Sequence, residues 1–159
     1  MEIRKVDENS AYAPRGPGFI ERFAGNHQKA LALYEEAILL APDDATLIGL
    51  HGIAKSGLTK YEDAVKNFNP ALDPPSSMHV DEVNIDGFQQ MRGISFVELR
   101  ACDSAIRDLD YWLDKNPNEP CGLLYRGIAL VEQGREIRMK PRVSPLTGPG
   151  SASRTVSWR

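Results

Sequence analysis

GNHQKALALYEEAILLAPDD, residues 25–44, is the stretch from which the rest of the chain can be read. Ala30, Leu31, Tyr34, Ala37 and Ile38 recur at three- and four-residue intervals, the spacing of one helix face. Glu35 and Glu36 belong to the solvated side. The spacing predicts a helix over His27–Ala41. Pro42, which cannot continue a helix, and the turn-forming pair Asp43 and Asp44 close it.

Outward from this helix the same set of residues returns. Gly18 stands twelve residues before Ala30; Tyr34, Ala37 and Pro42 follow at steps of four, three and five. The second copy is Gly52, Ala64, Phe68, Ala71, with Pro75 one residue early; the third is Gly93, Ala105, Leu109, Trp112, Pro117. A fourth begins at Gly127 and goes no further. The glycines are 34, 41 and 34 residues apart, so the middle interval is one repeat plus an insertion of seven. Glycine inside a helix costs about 1 kcal/mol against alanine, and its recurrence there points to close backbone approach. Ala30, Ala64 and Ala105 are the facing small residues, and Tyr34, Phe68 and Leu109 the knobs beside them. A second amphipathic helix is predicted over Cys102–Asn116. Ala45–Lys55 and Leu123–Glu132 read as first helices of hairpins. No sustained strand alternation is present.

Residues 25–44 resemble the second helix of a tetratricopeptide repeat nearly position for position. Tyr61–Phe68 resembles the same stretch of the next repeat, and Arg126–Gly134 a first helix. The likeness covers residues 11–134 and implies an all-α fold, a right-handed superhelix of antiparallel helix hairpins. It divides the chain into a flexible segment 1–10, a repeat region 11–136 and a disordered basic tail 137–159. The repeats fall at about 11–44, 45–78 and 86–119, with a partial one at 120–136. Four departures stand out. Pro14 and Pro17 predict a short first helix, Phe19–Ala24. Pro70 predicts a kink or stop near Asn67–Asn69. Asp73–Val80 reads as an enlarged loop, and the prolines and glycines from Pro141 to Gly150 forbid a partner for the last helix.

Composition narrows the function. The chain has 159 residues, 42% apolar and 26% charged, enough for one soluble domain. No apolar run reaches the ~18 residues of a membrane span, and polar Met1–Ser10 lacks a secretory apolar stretch. Residues 135–159 carry six Lys or Arg against one acidic residue, Glu136, and the remainder carries 13 basic against 21 acidic residues. An acidic body argues against nucleic acid as partner. Cys102 and Cys121 match no zinc or disulfide framework, so a reduced, cytoplasmic setting is expected. His27, His51 and His79 lack metal-site spacing. Gly52–Lys60 resembles a phosphate loop but has Leu58 where lysine should follow Gly57, and no strand precedes it. No cofactor, metal or catalytic role is expected for any residue.

A binding surface remains. The resemblance implies that first helices line a concave groove for a partner segment. Positions bordering it are Gly49, Ile53 and Ser56; Gln90, Ile94 and Val97; and Leu124, Ile128 and Val131. This set is mostly apolar, which suits a protein or peptide partner with an apolar or amphipathic segment. Leu50 and Met91 stand where family members that clamp an acidic chaperone tail have polar residues, so no affinity for such a tail is expected. The expected function is a scaffold or adaptor; the alternative is the repeat segment of a larger enzyme or transport-complex subunit with its catalysis elsewhere. Leu124, Ile128, Ala129 and Leu130, left without a second helix, are expected to favour self-association.

Overall fold

The computed structural model describes residues 12–139 and contains seven α-helices: α1 (Tyr12–Phe23), α2 (His27–Leu40), α3 (Ala45–Gly57), α4 (Tyr61–Leu72), α5 (Ile85–Glu98), α6 (Cys102–Lys115) and α7 (Pro120–Met139). A single 3-10 turn, Glu82–Asn84, leads into α5. The expected flexible segment 1–10 and residues 140–159 of the basic tail lie outside the described residues. Three antiparallel hairpins, α1–α2, α3–α4 and α5–α6, stack in chain order. Each second helix packs on the next first helix, through to α6 on α7.

The repeating glycines and knobs meet as their spacing requires. A Cβ placed on Gly18 would come within 2.8 Å of the Tyr34 ring, one on Gly52 within 3.0 Å of Phe68, and one on Gly93 within 2.9 Å of Leu109. Ala30, Ala64, Ala105 and all three knobs are fully buried. Each hairpin also turns in the same way. Seven residues after the packing glycine comes one residue in the left-handed region: Gly25 at φ 79°, Thr59 at φ 59° and Arg100 at φ 57°. Beyond it, the amides of Asn26, Lys60 and Ala101 reach back to the carbonyls of Glu21, Lys55 and Phe96 at 2.8–3.0 Å, closing the first helix.

Two proline expectations are corrected. α1 spans Tyr12–Phe23, not only Phe19–Ala24. Pro14 lies in its first turn, where backbone N–H groups have no helical partner anyway, and Pro17 removes one bond that packing of α1 on α2 offsets. α4 runs through Pro70 to Leu72, with no stop at Asn67–Asn69. Pro70 falls in the last turn, so one donor is lost, while Phe68 and Ala71 on either side are fully buried. At the other end α7 continues to Met139, three residues into the stretch expected as tail. Its Gly134 stands seven residues after Gly127, where the other repeats turn, yet the helix passes through it.

The enlarged loop after α4 is tied down. Ala45 N–H donates to the His79 carbonyl (2.8 Å), His79 N–H to the Asp43 carbonyl (3.0 Å) and Asp81 N–H to Thr46 Oγ1 (2.8 Å). The result is an isolated parallel bridge between Asp44 and His79 at the start of α3, where the Asp44 carboxylate also caps the Thr46 and Leu47 amides.

His51, beside Gly52, is buried between α2, α3 and α4. Its Nδ1 accepts from Asn67 Nδ2 at 2.8 Å, which leaves Nε2–H to donate to Glu35 Oε1 at 3.4 Å. Asn67 is oriented by its own bonds, donating to the Ile48 carbonyl and accepting from Lys55 Nζ, both at 3.3 Å. Burial, then the Lys55 charge, hold the imidazole below its ordinary value of 6.5; Glu35 opposes them more weakly. The folded state thus binds fewer protons than the unfolded one just below that value, so stability rises with pH there. The contribution is full above pH 6.5 and is lost as pH falls towards the depressed folded value. Urea unfolding at pH 7.5 and 5.5 should show a loss on acidification that His51→Gln reduces; an equal loss in both proteins would contradict this role of His51.

Candidate partner-binding surface

The first helices α1, α3, α5 and α7 each carry the side expected to border a partner groove. The residue following each packing glycine marks it: Phe19, Ile53, Ile94 and Ile128. Burial of these four differs along the stack. Phe19 is 47% exposed and Ile128 39%, whereas Ile94 is 9% exposed and Ile53 is half-buried against the first core cluster.

The nine residues predicted to border the groove accordingly divide. Gly49 is buried, and a Cβ there would run into the Phe88 ring, so it marks the α3–α5 contact. Ser56 is buried with its Oγ 3.3 Å from Ser95 Oγ, again between α3 and α5. Ile94 and Val97 belong to the second core cluster with Ala105, Leu109 and Ala129. Ile53 and Gln90 are half-buried. Leu124 (62% exposed), Ile128 and Val131 (56% exposed) are brought together on α7. With Leu123, Gly127, Glu132 and Arg135 they line an open groove of about 540 Å³. Val97, Glu98, Arg100, Ile128 and Glu132 form a smaller recess of about 170 Å³ beside it.

Charge is confined to one edge of this surface. Glu132 holds Arg100 Nη1 at 3.0 Å and Arg135 Nη1 at 2.5 Å, while the faces of Leu124, Ile128 and Val131 stay apolar. Below them α7 is anchored on α6. Gly122 lies against Trp112 and Leu113, Cys121 and Tyr125 pack on the second core cluster, and Arg126 pairs with Asp110. Ala129, expected to be uncovered, is 1% exposed. It sits on the side of α7 that turns into α6, away from Gly127. The Cys121 thiol is pushed up by burial and by Glu119, the reverse of an activated thiolate. Among the described residues no three His, Cys, Asp or Glu side chains converge as metal ligands, and no helix is long and apolar enough to cross a membrane.

A second recess, of about 330 Å³, lies at the opposite end and was missed from the sequence. Arg15, Gly16, Phe19, Leu50 and Asn84 line it, with Arg15 Nη2 3.4 Å from Asp81 Oδ2. The signal was present: Phe19 has the repeat position of Ile53, Ile94 and Ile128. Discounting helix at Pro14 and Pro17 hid it. Leu50 is 3% exposed and Met91 half-buried on the first core cluster, so neither presents a polar group to this side.

No family model and no curated protein matches the chain. Solved structures do. The first TPR of Spaghetti (RPAP3), bound to the HSP90 peptide SRMEEVD, has a TM-score of 0.67 at 18% identity, covering 81% of this chain and 97% of that one. The second TPR domain of human RPAP3, in complex with an HSP70 peptide, has a TM-score of 0.61 at 18% identity over 76% of this chain and 94% of that one. PcrH, in complex with the chaperone binding region of PopB, has a TM-score of 0.55 at 18% identity over 82% and 99%. Identity this low speaks to the fold. The glycine-to-knob hairpins, their common turn and this likeness agree: the chain has a tetratricopeptide-like fold, an all-α right-handed stack of helix hairpins.

Proposed function

We propose that the chain is a protein-interaction adaptor that holds an apolar or amphipathic partner segment against the concave side of its first helices, most strongly at α7. The observation that carries this reading is the solvent-facing stripe Leu124, Ile128 and Val131, with charge only at its edge. Contiguous apolar surface rimmed by polar groups is the mark of a docking site. An amphipathic helix matches it in shape and chemistry. The structural neighbours named above hold peptide segments, which supports a binding role for the same architecture. They do not supply the ligand: Leu50 and Met91 leave this concave side without the polar set that would clamp an acidic tail.

The test uses a displayed library of amphipathic helical peptides. The best binder is expected to lose at least about tenfold in affinity against Ile128→Glu, since a charge in a desolvated apolar contact costs more than the ~1.4 kcal/mol that a tenfold change represents. Circular dichroism of the variant should be unchanged, because Ile128 is exposed; Ile94→Glu is not a clean probe, because it charges the core. The peptide SRMEEVD should give no saturable binding. Micromolar affinity for it, or indifference of the helical binder to Ile128→Glu, would overturn the proposal.

A further inference from the structure

Besides the Leu124, Ile128 and Val131 stripe, α7 has two further apolar sides. One packs on α6 through Gly122, Tyr125 and Ala129. On the other, Leu123, Gly127, Leu130 and Gly134 follow at steps of four, three and four residues, the spacing of a helix seam. Leu123 is 50% and Leu130 41% exposed. A Cβ on Gly127 or on Gly134 would meet nothing within 4 Å, so the stripe alternates knobs with open notches.

The other hairpins show what belongs on this side. Ile48, Gly52 and Lys55 of α3 have the spacing of Leu123, Gly127 and Leu130, and all three meet α4. Asn67 binds the Ile48 carbonyl and Lys55 Nζ at 3.3 Å each, and Phe68 fills the notch at Gly52. On α5 the equivalents Gln89 and Gly93 meet Asp108 and Leu109 of α6. This side of a first helix is where an antiparallel helix docks. Among the described residues α7 has none.

We propose that a second copy of this chain fills it, α7 against α7, antiparallel about a two-fold axis. In this pairing Leu130 of each copy sits on Gly127 of the other and Leu123 on Gly134. Both leucine–glycine pairs form together because 123 to 130 and 127 to 134 are the same seven-residue step. The contact continues the antiparallel interface that α3 makes with α4 and α5 with α6. α6 packs on the Gly122, Tyr125 and Ala129 side of α7, away from the stripe. At both ends Arg135 of one copy comes within about a turn of Glu119, in the α6–α7 connection of the other, an opposite charge. The stripe is about a quarter-turn around the helix from Leu124, Ile128 and Val131. Leu123 and Gly127 also line the concave groove, so Leu130→Glu, outside that lining, is the variant that separates dimerisation from partner binding there.

Sedimentation equilibrium of the full chain, from low micromolar to near-millimolar concentration, is expected to show a monomer–dimer equilibrium. Gly127→Leu fills a notch that is empty in the monomer, so its melting temperature at low concentration should not fall, while the dimer dissociation constant should rise at least about tenfold. Leu130→Glu should weaken the dimer similarly. A monomer at every concentration overturns the proposal. So does a dimer indifferent to both variants, or an open-ended polymer. A chain ending at Met139 that dimerises while the full chain does not would also overturn it, and would assign the stripe to residues 140–159.

Discussion

Phe68→Ala is expected to lower the melting temperature by roughly 10 °C or more, the largest effect of any single truncation in the first core cluster. Phe68 is fully buried, presses on the notch at Gly52 and lies 6.3 Å, ring to ring, from Phe88. It therefore joins α4 to α3 within a hairpin and to α5 across hairpins. Truncating a buried phenylalanine costs about 3–5 kcal/mol, a large part of the 5–15 kcal/mol typical of a domain. The same geometry predicts coupling to Gly52. In the intact protein Gly52→Ala gains helix propensity but pushes its Cβ to 3.0 Å from Phe68, and should destabilise. In the Phe68→Ala background the ring contacts are gone and only the 3.0 Å approach to Asn67 Cβ remains, so Gly52→Ala should cost less than in the intact protein. Chemical denaturation of the four proteins measures the cycle; strict additivity would refute the knob-and-notch account of the repeat.

Asp108→Ala should cost about 3 kcal/mol or more, because it strips a buried ion pair of one member. Asp108 is 2% exposed and accepts three bonds, from Gln89 Nε2 at 2.7 Å, Arg92 Nε at 2.6 Å and Arg92 Nη2 at 2.9 Å. Arg92 also donates to Asn69 Oδ1 of α4 at 3.1 Å and lies over the Phe96 ring, so the network links the second hairpin to the third. Without the carboxylate, a guanidinium with little access to water keeps only one weak partner. Replacing both members with apolar residues, Arg92→Leu with Asp108→Leu, should be closer to wild type than Asp108→Ala alone, since no unpaired charge remains. Equal losses from the single and double variants would show that shape, not charge, governs this contact.

The two networks occupy one place in the repeat. His51 and Arg92 each precede the packing glycine; Asn67 and Asp108 each precede the knob. The sequence held this correspondence once the glycines were aligned, yet the residue types differ too much for pattern alone to reveal it. A neutral imidazole–amide pair and a guanidinium–carboxylate pair satisfy the same buried gap by different chemistry, and only their distances identify them as equivalents. The prolines erred in the opposite direction. Local propensity argued against helix at Pro14, Pro17 and Pro70, but Pro14 and Pro70 sit near helix ends, and the one bond lost at Pro17 in the middle of α1 costs less than the adjoining Gly18–Tyr34 contact contributes.

Periodicity by itself determined the hairpins, their small and bulky contact residues and the open place beside Gly127. Those follow from which side of a helix a residue occupies, and helix pitch sets that locally. The tertiary structure alone decided which of these sides are free. Phe19, Ile53, Ile94 and Ile128 hold one position in four repeats, yet Ile94 is buried and Ile53 half-buried while the outer two face solvent. A residue's direction is a property of its own helix, whereas its burial depends on whether helices from other repeats lie on both flanks. At the two ends of this stack one flank is bare.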